Sequence, residues 1–438
     1  MPAPNSRRRR LVLIAAAILL VIAAVAGAAY LIFIKAPGDV SNPTVTFKTE
    51  TTPLPTPPPP PKPTKVKTEP VGRNWPLYGY NQRRTRAMVD VPATLRPPFR
   101  RRWKVSGKVL LEFAPALLGN RLYQLSDAAK LRAFDKRTGR MIWGRSLGHL
   151  AASTPAAAGG VLYSTVLEAT KGSPGRIVAV RAKDGLNLWT KNLSSRTESS
   201  PVVSRGRVFF GTENGTVYAL DIKNGREIWK YEASGAVKGG LALSGGYLIF
   251  GDYGGQVHSI RSSDGKRRWS TGSSGGSFGR SGTFYATASV KYGRVYIGNT
   301  DGRMYSFAEK TGEMAWATRT DGYVYSAAAV ATVKGLGPTV FAGSYDGKLY
   351  AFDAKSGAVR WSTAVGGRVS GGVTLIGEIV YIADLGRRYT HGIMARTGKE
   401  VFTFPDGGFD TAISDGRWIF LTGYTNLYAL EPIKSTSP

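Results

Sequence analysis

The sequence predicts an all-β fold, an eight-bladed β-propeller with four-stranded antiparallel blades, and three observations support this prediction. Seven copies of an eleven-residue unit recur with a Gly and an aromatic residue in register, at steps of 40 to 47 residues between the aromatic residues. Upstream of the unit, two apolar runs flank a Gly and lead into a second turn, so that each repeat supplies four short strands. The unit shows no helical spacing, and a repeat of this length without helices is typical of a propeller.

Each copy of the unit begins with a small residue, turns through a polar residue and Gly, and ends on an aromatic residue. The polar side chain can bond to its own backbone and Gly accepts a positive φ, so the pair predicts a tight hairpin. We expect the aromatic ring to lie on the small residue and the Gly peptide of the adjacent sheet, burying roughly 150–250 Å². The units occupy residues 133–143, 179–189, 219–229, 259–269, 306–316, 351–361 and 392–402. The predicted interblade aromatic residues are Trp103, Trp143, Trp189, Trp229, Trp269, Trp316, Trp361 and Phe402.

The eighth repeat is divided between the two ends of the chain. Residues 417–430 contain the apolar runs of a repeat but are not followed by a Gly and an aromatic residue. Trp103 lies on an aromatic strand with no unit before it, 40 residues ahead of Trp143. We therefore expect this N-terminal strand to complete the C-terminal blade, which would close the ring and remove its open sheet edges.

Residues 1–34 have the pattern of a membrane anchor. Four consecutive arginines stand at residues 7–10, and residues 11–34 carry no charge over 24 positions. At ~1.5 Å per residue this segment would form a helix of about 36 Å, enough to cross a hydrocarbon core of about 30 Å. The basic cluster predicts a cytoplasmic tail over residues 1–10 and an extracytoplasmic location for everything after Lys35. A cleaved signal peptide is the alternative, although the apolar run exceeds the usual core of about 7–15 residues.

Residues 35–72 predict a Pro-rich linker between the anchor and the propeller domain, which we place at residues 73–438. No period is visible over this stretch, and residues 53–63 contain eight prolines in eleven positions. Such a run favours polyproline II at about 3.1 Å per residue, which makes it a semi-rigid spacer of about 34 Å. We expect it to hold the propeller away from the membrane.

Composition limits the chemistry that the chain can perform. The 438 residues are 42% hydrophobic and 20% charged, which suffices for one large folded assembly. The absence of cysteine excludes disulfides, thiolate nucleophiles and cysteine-ligated metal or haem. His149, His258 and His391 fall in unrelated repeat positions and lack zinc-ligand spacing, so we expect surface or turn roles for them.

The opening Asn74-Trp75-Pro76 with Gly79, the Ala-x-Asp-x-x-Thr-Gly-x-x-x-Trp unit and the period of about 40 residues resemble the propellers of the pyrroloquinoline-quinone type. The resemblance covers residues 73–438 and implies the fold more strongly than an activity. The superfamily includes quinoprotein alcohol dehydrogenases, which hold a quinone over calcium and often use cysteines that this chain lacks. In length and blade number the chain is more similar to the branch of the non-enzymatic lipoprotein of outer-membrane assembly. That branch is anchored by an acylated cysteine, however, whereas this chain has a predicted transmembrane helix.

A ring of polar side chains is expected at the mouth of the channel. Residues nine positions after each aromatic residue begin the innermost strands, with Tyr285 placed by aligning Gly251 with Gly298. These positions form the candidate ligand site: Glu112, Glu198, Lys238, Tyr285, Tyr325 and Ser370, together with Asp410, which stands beside the eighth position, Thr411. We expect solvated rim side chains, with no catalytic residue, no resident cofactor and no metal. Pyrroloquinoline quinone with Ca²⁺ is the alternative, since Ca²⁺ needs converging oxygens and a quinone needs a flat aromatic floor.

Charge is the feature that a propeller does not explain. The formal net charge is +30. Residues 1–72 hold 9 cations and 3 anions, which leaves 50 cations and 26 anions, a net charge of +24, on residues 73–438. A domain this basic attracts anionic lipid headgroups, envelope polymers or acidic protein faces, with nucleic acid the weaker option for an exported domain. The densest candidate polyanion patch is Arg83, Arg84 and Arg86 with Arg100, Arg101 and Arg102. A basic surface that serves solubility alone is the alternative.

Three functions remain open from the sequence. The leading one is a membrane-anchored, extracytoplasmic propeller that performs no chemistry and docks proteins or envelope polymers on its faces. The second is a quinoprotein dehydrogenase that uses pyrroloquinoline quinone and Ca²⁺. The third is a basic module that binds cell wall or anionic lipid through charge.

Overall fold

The computed structural model describes residues 16–22, 39–49, 73–273 and 282–433. Residues 16–22 are helical, and no helix within the described ranges is long and apolar enough to cross a membrane. The rest of the predicted transmembrane segment 11–34 lies outside the described residues, as does the predicted cytoplasmic tail.

Three strands of the N-terminal part come first in the chain: β1 (Val40–Ser41), β2 (Ala87–Met88) and β3 (Phe99–Ser106). Four-stranded antiparallel sheets follow, which we call blades 1–8 in chain order. Blade 1 contains β4 (Ala116–Leu118), β5 (Arg121–Leu125), β6 (Lys130–Asp135) and β7 (Met141–Ser146). Blade 2 contains β8 (Ala156–Ala158), β9 (Val161–Val166), β10 (Arg176–Arg181) and β11 (Asn187–Asn192). Blade 3 contains β12 (Val202–Ser204), β13 (Arg207–Gly211), β14 (Thr216–Asp221) and β15 (Glu227–Glu232).

Blades 4–8 repeat this order. Blade 4 contains β16 (Ala242–Ser244), β17 (Tyr247–Gly251), β18 (Gln256–Arg261) and β19 (Arg267–Gly272), and blade 5 contains β20 (Ser289–Lys291), β21 (Arg294–Gly298), β22 (Arg303–Ala308) and β23 (Met314–Arg319). Blade 6 contains β24 (Ala329–Val333), β25 (Gly337–Gly343), β26 (Lys348–Asp353) and β27 (Val359–Ala364), and blade 7 contains β28 (Thr374–Ile376), β29 (Ile379–Ala383), β30 (Thr390–Met394) and β31 (Glu400–Phe404). Blade 8 contains β32 (Ala412–Ser414), β33 (Ile419–Thr422), β34 (Asn426–Pro432) and, as its outermost strand, β3.

The antiparallel order of the strands gives the propeller two faces. Each innermost strand begins at what we call the upper face and ends at the lower face. The turn after the innermost strand and the hairpin between the third and fourth strands therefore lie on the lower face. The turn between the second and third strands lies on the upper face, as does the connection to the next blade.

The ring is closed by the N-terminal strand, as the sequence predicts. β3 pairs antiparallel with β34, and Trp103 stands opposite Ala429 across the two strands. This pairing joins the two ends of the propeller within one sheet, so blade 8 combines strands from both ends.

The interblade aromatic residues lie against the glycine of the following blade. Trp189 stands opposite the small Ala179 of its own blade, and its Nε1 donates to the carbonyl of Ile222 at 2.8 Å. Gly225 has φ +70°, and a Cβ there would lie 2.6 Å from the Trp189 ring, so both the turn and the ring require glycine. The same contact recurs between Trp103 and Gly139, Trp143 and Gly185, Trp229 and Gly265, Trp269 and Gly312, Trp316 and Gly357, and Trp361 and Gly398.

Phe402 forms the eighth interblade contact differently, because blade 8 carries no such glycine hairpin in its described residues. Its ring meets Phe99 of β3 edge-on, with 5.4 Å between the ring centroids. A phenyl ring has no N–H to donate, so this contact is apolar throughout.

Residues 39–49 pack on blade 5, which corrects the prediction that all of residues 35–72 form a spacer. β1 pairs with the outermost strand β23 as a fifth strand, because an outer strand presents unpaired backbone groups. Beyond β1, Val45 is buried and its carbonyl accepts a hydrogen bond from Arg294. Residues 50–72, with their proline run, therefore connect one docked stretch to another.

Replacing Trp229 with Ala should destabilise the protein by about 3–5 kcal/mol, because the ring is buried between two blades. Chemical unfolding measures the free energy of unfolding. The control is Tyr323→Ala, whose ring is 51% exposed and whose loss should cost within about 0.5 kcal/mol. A cost below about 1 kcal/mol at Trp229 would show that the ring does not join the blades.

Candidate functional site at the central channel

The seven polar residues predicted at the channel rim converge at the upper end of the channel. They line one cavity of about 50 Å³: Glu112, Glu198, Lys238, Tyr285, Tyr325, Ser370 and Asp410. Asp410 is buried, and the other six are half-buried. They meet because each one lies in the upper-face connection that leads into the innermost strand of its own blade. Six lie four residues before the strand and Asp410 lies two before it, so they do not begin the strands as the sequence predicts. That they hold a ligand stays a prediction.

Lys238 organises the carboxylates on one side of the mouth. Its Nζ lies 2.8 Å from Glu198 Oε1 and 2.8 Å from Glu213 Oε1. The hydroxyl of Tyr285 donates to the other oxygen of Glu198 at 3.2 Å. Burial disfavours the charged form of Lys238, but hydrogen bonds to both carboxylates raise its pKa above the usual range. A charged amine thus occupies the place where a metal cation would balance these carboxylates.

Glu112 carries a carboxyl group that is largely protonated near neutral pH. Burial raises its pKa to about 8, and the negative charges of Asp127, Glu198 and Asp410 add to the rise. Burial also raises the pKa of Asp127 to about 6. The mouth is therefore less negative at pH 7 than its acidic residues suggest, and Glu112 can donate a hydrogen bond as well as accept one.

Five tyrosines form a continuous aromatic surface beside the mouth, on the upper face of blades 4 to 6. The ring centroids of Tyr285 and Tyr325 lie 5.3 Å apart, and those of Tyr325 and Tyr345 lie 4.8 Å apart. Tyr253 and Tyr323 extend the surface on either side. Of these five tyrosines, the sequence predicts only Tyr285 and Tyr325 at the channel rim. Tyr253 and Tyr345 occupy equivalent upper-face turns, so an alignment of those turns would have found them.

Residues 73–88 fill the channel by bonding to the innermost strands. In blades 1 to 7 the bonded residue is the second one of the innermost strand: Leu117, Ala157, Val203, Leu243, Val290, Val330 and Leu375. Six of these bonds join backbone groups, whereas blade 3 is bonded through the side chain of Gln82. In blade 8 the amide of Arg73 donates to the carbonyl of Asp415, just after the innermost strand. At the end of the segment, β2 pairs in parallel with β28.

Two arginines of this segment are buried at the centre, which corrects their assignment to an exposed polyanion patch. Arg84 is 0% exposed, and its Nε donates to the backbone carbonyl of Leu241 at 2.9 Å. Arg86 forms an ion pair of 2.7 Å with Asp410 and lies over the ring of Tyr78. Burial lowers the pKa of Arg84 to about 9, so its side chain is still protonated at pH 7. Both guanidinium groups serve internal partners and are closed to an external polyanion.

The other arginines of the predicted patch are exposed, but they are not one surface. Arg83 lies in the channel segment, with its side chain facing solvent. Arg100 and Arg102 on β3 lie 2.6 Å and 3.0 Å from the carboxylate of Glu431, and Arg101 between them is exposed. Burial of Arg84 and Arg86 therefore separates the patch into two places.

Two of the three histidines are buried, which corrects the surface roles expected for them. His258 lies 2.9 Å from the carboxylate of Asp252, and His391 lies 3.1 Å from that of Asp384. Both histidines immediately precede the small first residue of a unit, so their repeat positions are equivalent and not unrelated. Each pair joins the third strand of a blade to its upper-face turn. His149 is exposed.

The channel does not fit a quinone held over calcium. A cavity of about 50 Å³ admits a few water molecules, whereas pockets for cofactors measure about 300–1,000 Å³. Among the residues that the structure describes, no group of three or more His, Cys, Asp or Glu side chains is placed to hold a metal ion. Glu198 already bonds to Lys238. Within the part of the chain that the structure describes, the mouth thus offers a polar and aromatic surface and a cavity smaller than a cofactor of this kind needs.

This geometry defines a class of protein: an eight-bladed propeller of the pyrroloquinoline-quinone repeat type whose channel is filled by its own chain. Residues 127–333 and 326–432 match the family of the outer membrane protein assembly factor BamB. Since these matches cover more than half of the sequence, the chain belongs to that family.

Individual proteins are similar to parts of the chain or to its fold. Outer membrane protein assembly factor BamB of Moranella endobia (strain PCIT) is 30% identical over 105 residues, 23% of this chain and 26% of that protein. The matched region thus spans about a quarter of that relative. The crystal structure of BamB from Moraxella catarrhalis has a TM-score of 0.63 at 17% identity and covers 78% of this chain and 100% of that one. The crystal structure of quinohemoprotein alcohol dehydrogenase from Comamonas testosteroni has a TM-score of 0.67 at 14% identity and covers 83% of this chain and 81% of that one. At these identities, both structures show similarity of fold alone.

Replacing Glu112 with Gln should remove a pH-dependent loss of stability. The folded-state pKa of about 8 lies above the ordinary value of 4.5, so ionisation of Glu112 opposes folding. The stabilisation from its protonated form is complete below pH 4.5 and is lost as the pH rises through about 8. We therefore expect the Tm of Glu112→Gln to rise relative to the Tm of the wild type as the pH increases across this range. Thermal unfolding followed by circular dichroism measures both values. A difference in Tm that stays constant with pH would contradict the raised pKa.

Proposed function

We propose that the protein is a non-catalytic scaffold, anchored in a membrane by residues 11–34, that docks partner proteins of the cell envelope on the upper face of its propeller. One observation carries this proposal. Arg84, Arg86 and Tyr78 fill the channel and leave a cavity of about 50 Å³ beneath the mouth. An oxidoreductase built on this fold would need that space for a cofactor and a substrate, so the propeller has only its faces and edges for function.

The tyrosine surface supports docking on the upper face. Tyrosine is enriched at protein interfaces because it buries a large, rigid ring and keeps a polar tip. Tyr323 and Tyr253 are 51% and 36% exposed, so a partner could cover both rings. Cationic groups border the surface, with Lys238 over the ring of Tyr253 and Arg368 over that of Tyr345. Such a surface favours a partner that brings apolar side chains and acceptor groups.

The docked N-terminal stretch limits the distance between the propeller and its proposed anchor. The backbone amide of Arg319, at the upper end of β23, donates to the carboxylate of Asp39 at 2.9 Å. Residues 35–38 alone separate Asp39 from the predicted helix, and they extend over about 14 Å at most. Blade 5 and the neighbouring tyrosines would therefore lie close to the bilayer. A partner on this surface would be a membrane protein or a membrane-attached one.

The family name concerns outer-membrane protein assembly, and we carry over its non-catalytic docking role without its particular partners. The predicted helical anchor differs from the acylated cysteine of the lipoprotein branch, so the membrane and the assembled proteins can differ as well. The alternative function, a basic module that binds cell wall or anionic lipid, still has the support of the net charge of +24 on residues 73–438. Arg84 and Arg86 are buried, however, so they cannot be part of its binding surface.

Site-specific photocrosslinking in cells tests the scaffold function. A photoreactive residue replaces Tyr323 on the upper face of the full chain, and a control replaces Leu188 on the outer strand of blade 2, which is 45% exposed. We expect the membrane fraction to contain a discrete membrane-protein adduct at position 323 and none at 188. Purified full-length protein mixed with pyrroloquinoline quinone and Ca²⁺ should neither retain the quinone nor reduce a dye with alcohols. Equimolar quinone binding, or identical adducts at both positions, would contradict the proposal.

A further inference from the structure

The outer edges of the blades differ in how well they are protected against pairing with another strand. Charged side chains on an edge strand discourage such pairing. In five blades a charged residue lies within the four positions from two before the interblade aromatic residue to one after it: Arg101, Glu227, Arg267, Arg360 and Glu400. The same four positions of blades 1, 2 and 5 carry no charge. Of these three, blade 5 is the one to which β1 adds a fifth strand.

Blade 1 reproduces the layout of blade 5. Each strand of blade 1 begins 173 residues before its counterpart in blade 5, as Ala116 and Ser289 illustrate. The uncharged edge residues 141–144 of β7 therefore correspond to residues 314–317 of β23. Blade 2 differs, because the side chain of Asn187 on β11 donates to the hydroxyl of Thr190 at 3.1 Å. Its edge side chains are thus already bonded to each other.

Residues 39–49 show how a strand docks on such an edge. The amide of Asn42 donates to the carbonyl of Ala315 at 2.7 Å, and the amide of Arg319 donates to the carboxylate of Asp39 at 2.9 Å. Val45 and Ala315 belong to one buried cluster, in which Ala315 is 2% exposed. The docked stretch therefore uses the backbone groups of the edge and covers the residue that precedes the interblade tryptophan.

The equivalent edge of blade 1 has no such cover within the ranges that the structure describes. There β7 pairs with β6 alone. Ile142, at the position of Ala315, is 42% exposed, and Met141 beside it is 56% exposed. Two consecutive exposed apolar side chains on an unpaired edge form a surface that an added strand can cover.

The path that the docked stretch follows beyond β1 is also open on blade 1. On blade 5 the amide of Lys48 donates to the carbonyl of Tyr292 at 2.9 Å, and its side chain lies beside Gly293. The counterparts of these two blade residues are Gly119 and Asn120, which line a groove of about 1010 Å³. A strand on β7 could thus continue into the groove as residues 42–48 continue on blade 5.

One charge differs between the two edges and indicates which strand fits blade 1. On blade 5 the side-chain amide of Asn42 donates to the carboxylate of Glu313 at 2.9 Å. The counterpart of Glu313 on blade 1 is Arg140, which is exposed. A strand in the same register would therefore place its carboxylate where the docked stretch has Asn42, because opposite charges attract across this contact.

Two nearby segments fit this edge less well than an acidic strand. Residues 62–72 of the same chain lead to Arg73 on the lower face and carry three lysines and one glutamate. Two copies of β7 paired edge to edge would bring Arg140 and Arg145 of both copies together. Like charges across a strand pair are destabilising, so both arrangements are disfavoured.

We propose that the outer edge of β7 accepts a fifth strand from a partner protein. The partner segment is extended, pairs antiparallel with residues 141–144, covers Ile142 with an apolar side chain and places a carboxylate beside Arg140. β1 occupies the same place on blade 5 and supplies the geometry. This inference goes beyond the scaffold function proposed above, because the edge is separate from the upper-face tyrosines.

A peptide titration on the purified full-length protein tests the edge. The probe is a fluorescein-labelled peptide with the sequence of residues 39–47, in which Asp replaces Asn42, and fluorescence anisotropy follows its binding. The test variant is Gly144→Pro, which removes the edge amide at the position of Ala317. The matched control is Gly144→Ala, because a Cβ there would lie 3.6 Å from Arg132, an ordinary contact. We expect Gly144→Pro to bind about tenfold more weakly and Gly144→Ala within about twofold of wild type.

A charge exchange tests the position of the partner's carboxylate. We expect Arg140→Glu to bind the probe about fivefold more weakly. A second probe, with Lys at the position of that Asp, should bind Arg140→Glu more tightly than it binds the wild type. Arg140 is exposed, so this variant tests the proposal even if circular dichroism shows that Gly144→Pro does not fold. Equal binding to the Pro and Ala variants, or a charge exchange without effect, would overturn the proposal.

Hydrogen exchange distinguishes a free edge from one that is already covered. The amides of Gly144 and Ser146 should exchange rapidly in the free protein and become protected when the probe is added. Protection in the free protein at every concentration would assign the edge to residues 50–72, and protection that grows with concentration would assign it to a second copy. Either result overturns the proposal. If the adduct at position 323 persists in that case, the edge inference fails and the scaffold function stands.

Discussion

The innermost strand of every blade has one sheet edge that faces the channel, and its unpaired backbone groups need partners. In this protein a single segment, residues 73–88, supplies them. It meets the second residue of the innermost strand in seven blades and bonds beside the strand of the eighth. The segment is held in turn by Arg84 and Arg86, which donate to groups of blades on different sides of the ring. One stretch of chain thereby ties the eight sheets together from within.

Filling the channel leaves little space at the centre of the described propeller. The space that a cofactor would occupy is taken by side chains of Arg84, Arg86 and Tyr78, and the remaining mouth is shallow. The upper face presents tyrosines around Tyr325 beside the docked stretch 39–49. On the lower face, ring closure replaces the hairpin between the third and fourth strands of blade 8 with two separate strands, β34 and β3.

The sequence predicted the parts of the structure that repeat. Blades, interblade rings and most rim residues follow from a constant offset, since six of the eight innermost strands begin 13 residues after an aromatic residue. The exceptions are blade 5, which begins later at Ser289, and blade 8, which begins sooner at Ala412. The sequence does not distinguish the exposed Arg83 from the buried Arg84 and Arg86. The groups that bind the two buried side chains are backbone carbonyls and the carboxylate of Asp410, which lie far away in the sequence on other blades. β1 is only two residues long and belongs to no repeat, so no local sequence pattern predicts its pairing with β23. The equivalence of His258 and His391 is visible in the sequence, because each stands one position before an eleven-residue unit. Aligning the residues that precede the units would have shown it.

Hydrogen exchange of the innermost strands tests most directly whether residues 73–88 hold the ring from within. The full chain is compared with Arg84→Met, which removes a buried donor, and with Arg83→Met, an exposed neighbour that serves as the control. The amides of Leu243 and Val290 donate to this segment, as do those of Val330 and Leu375 in blades 6 and 7. We expect them to lose protection in Arg84→Met across several blades and to keep it in Arg83→Met. Wild-type protection at these amides in Arg84→Met would contradict a structural role for the channel segment.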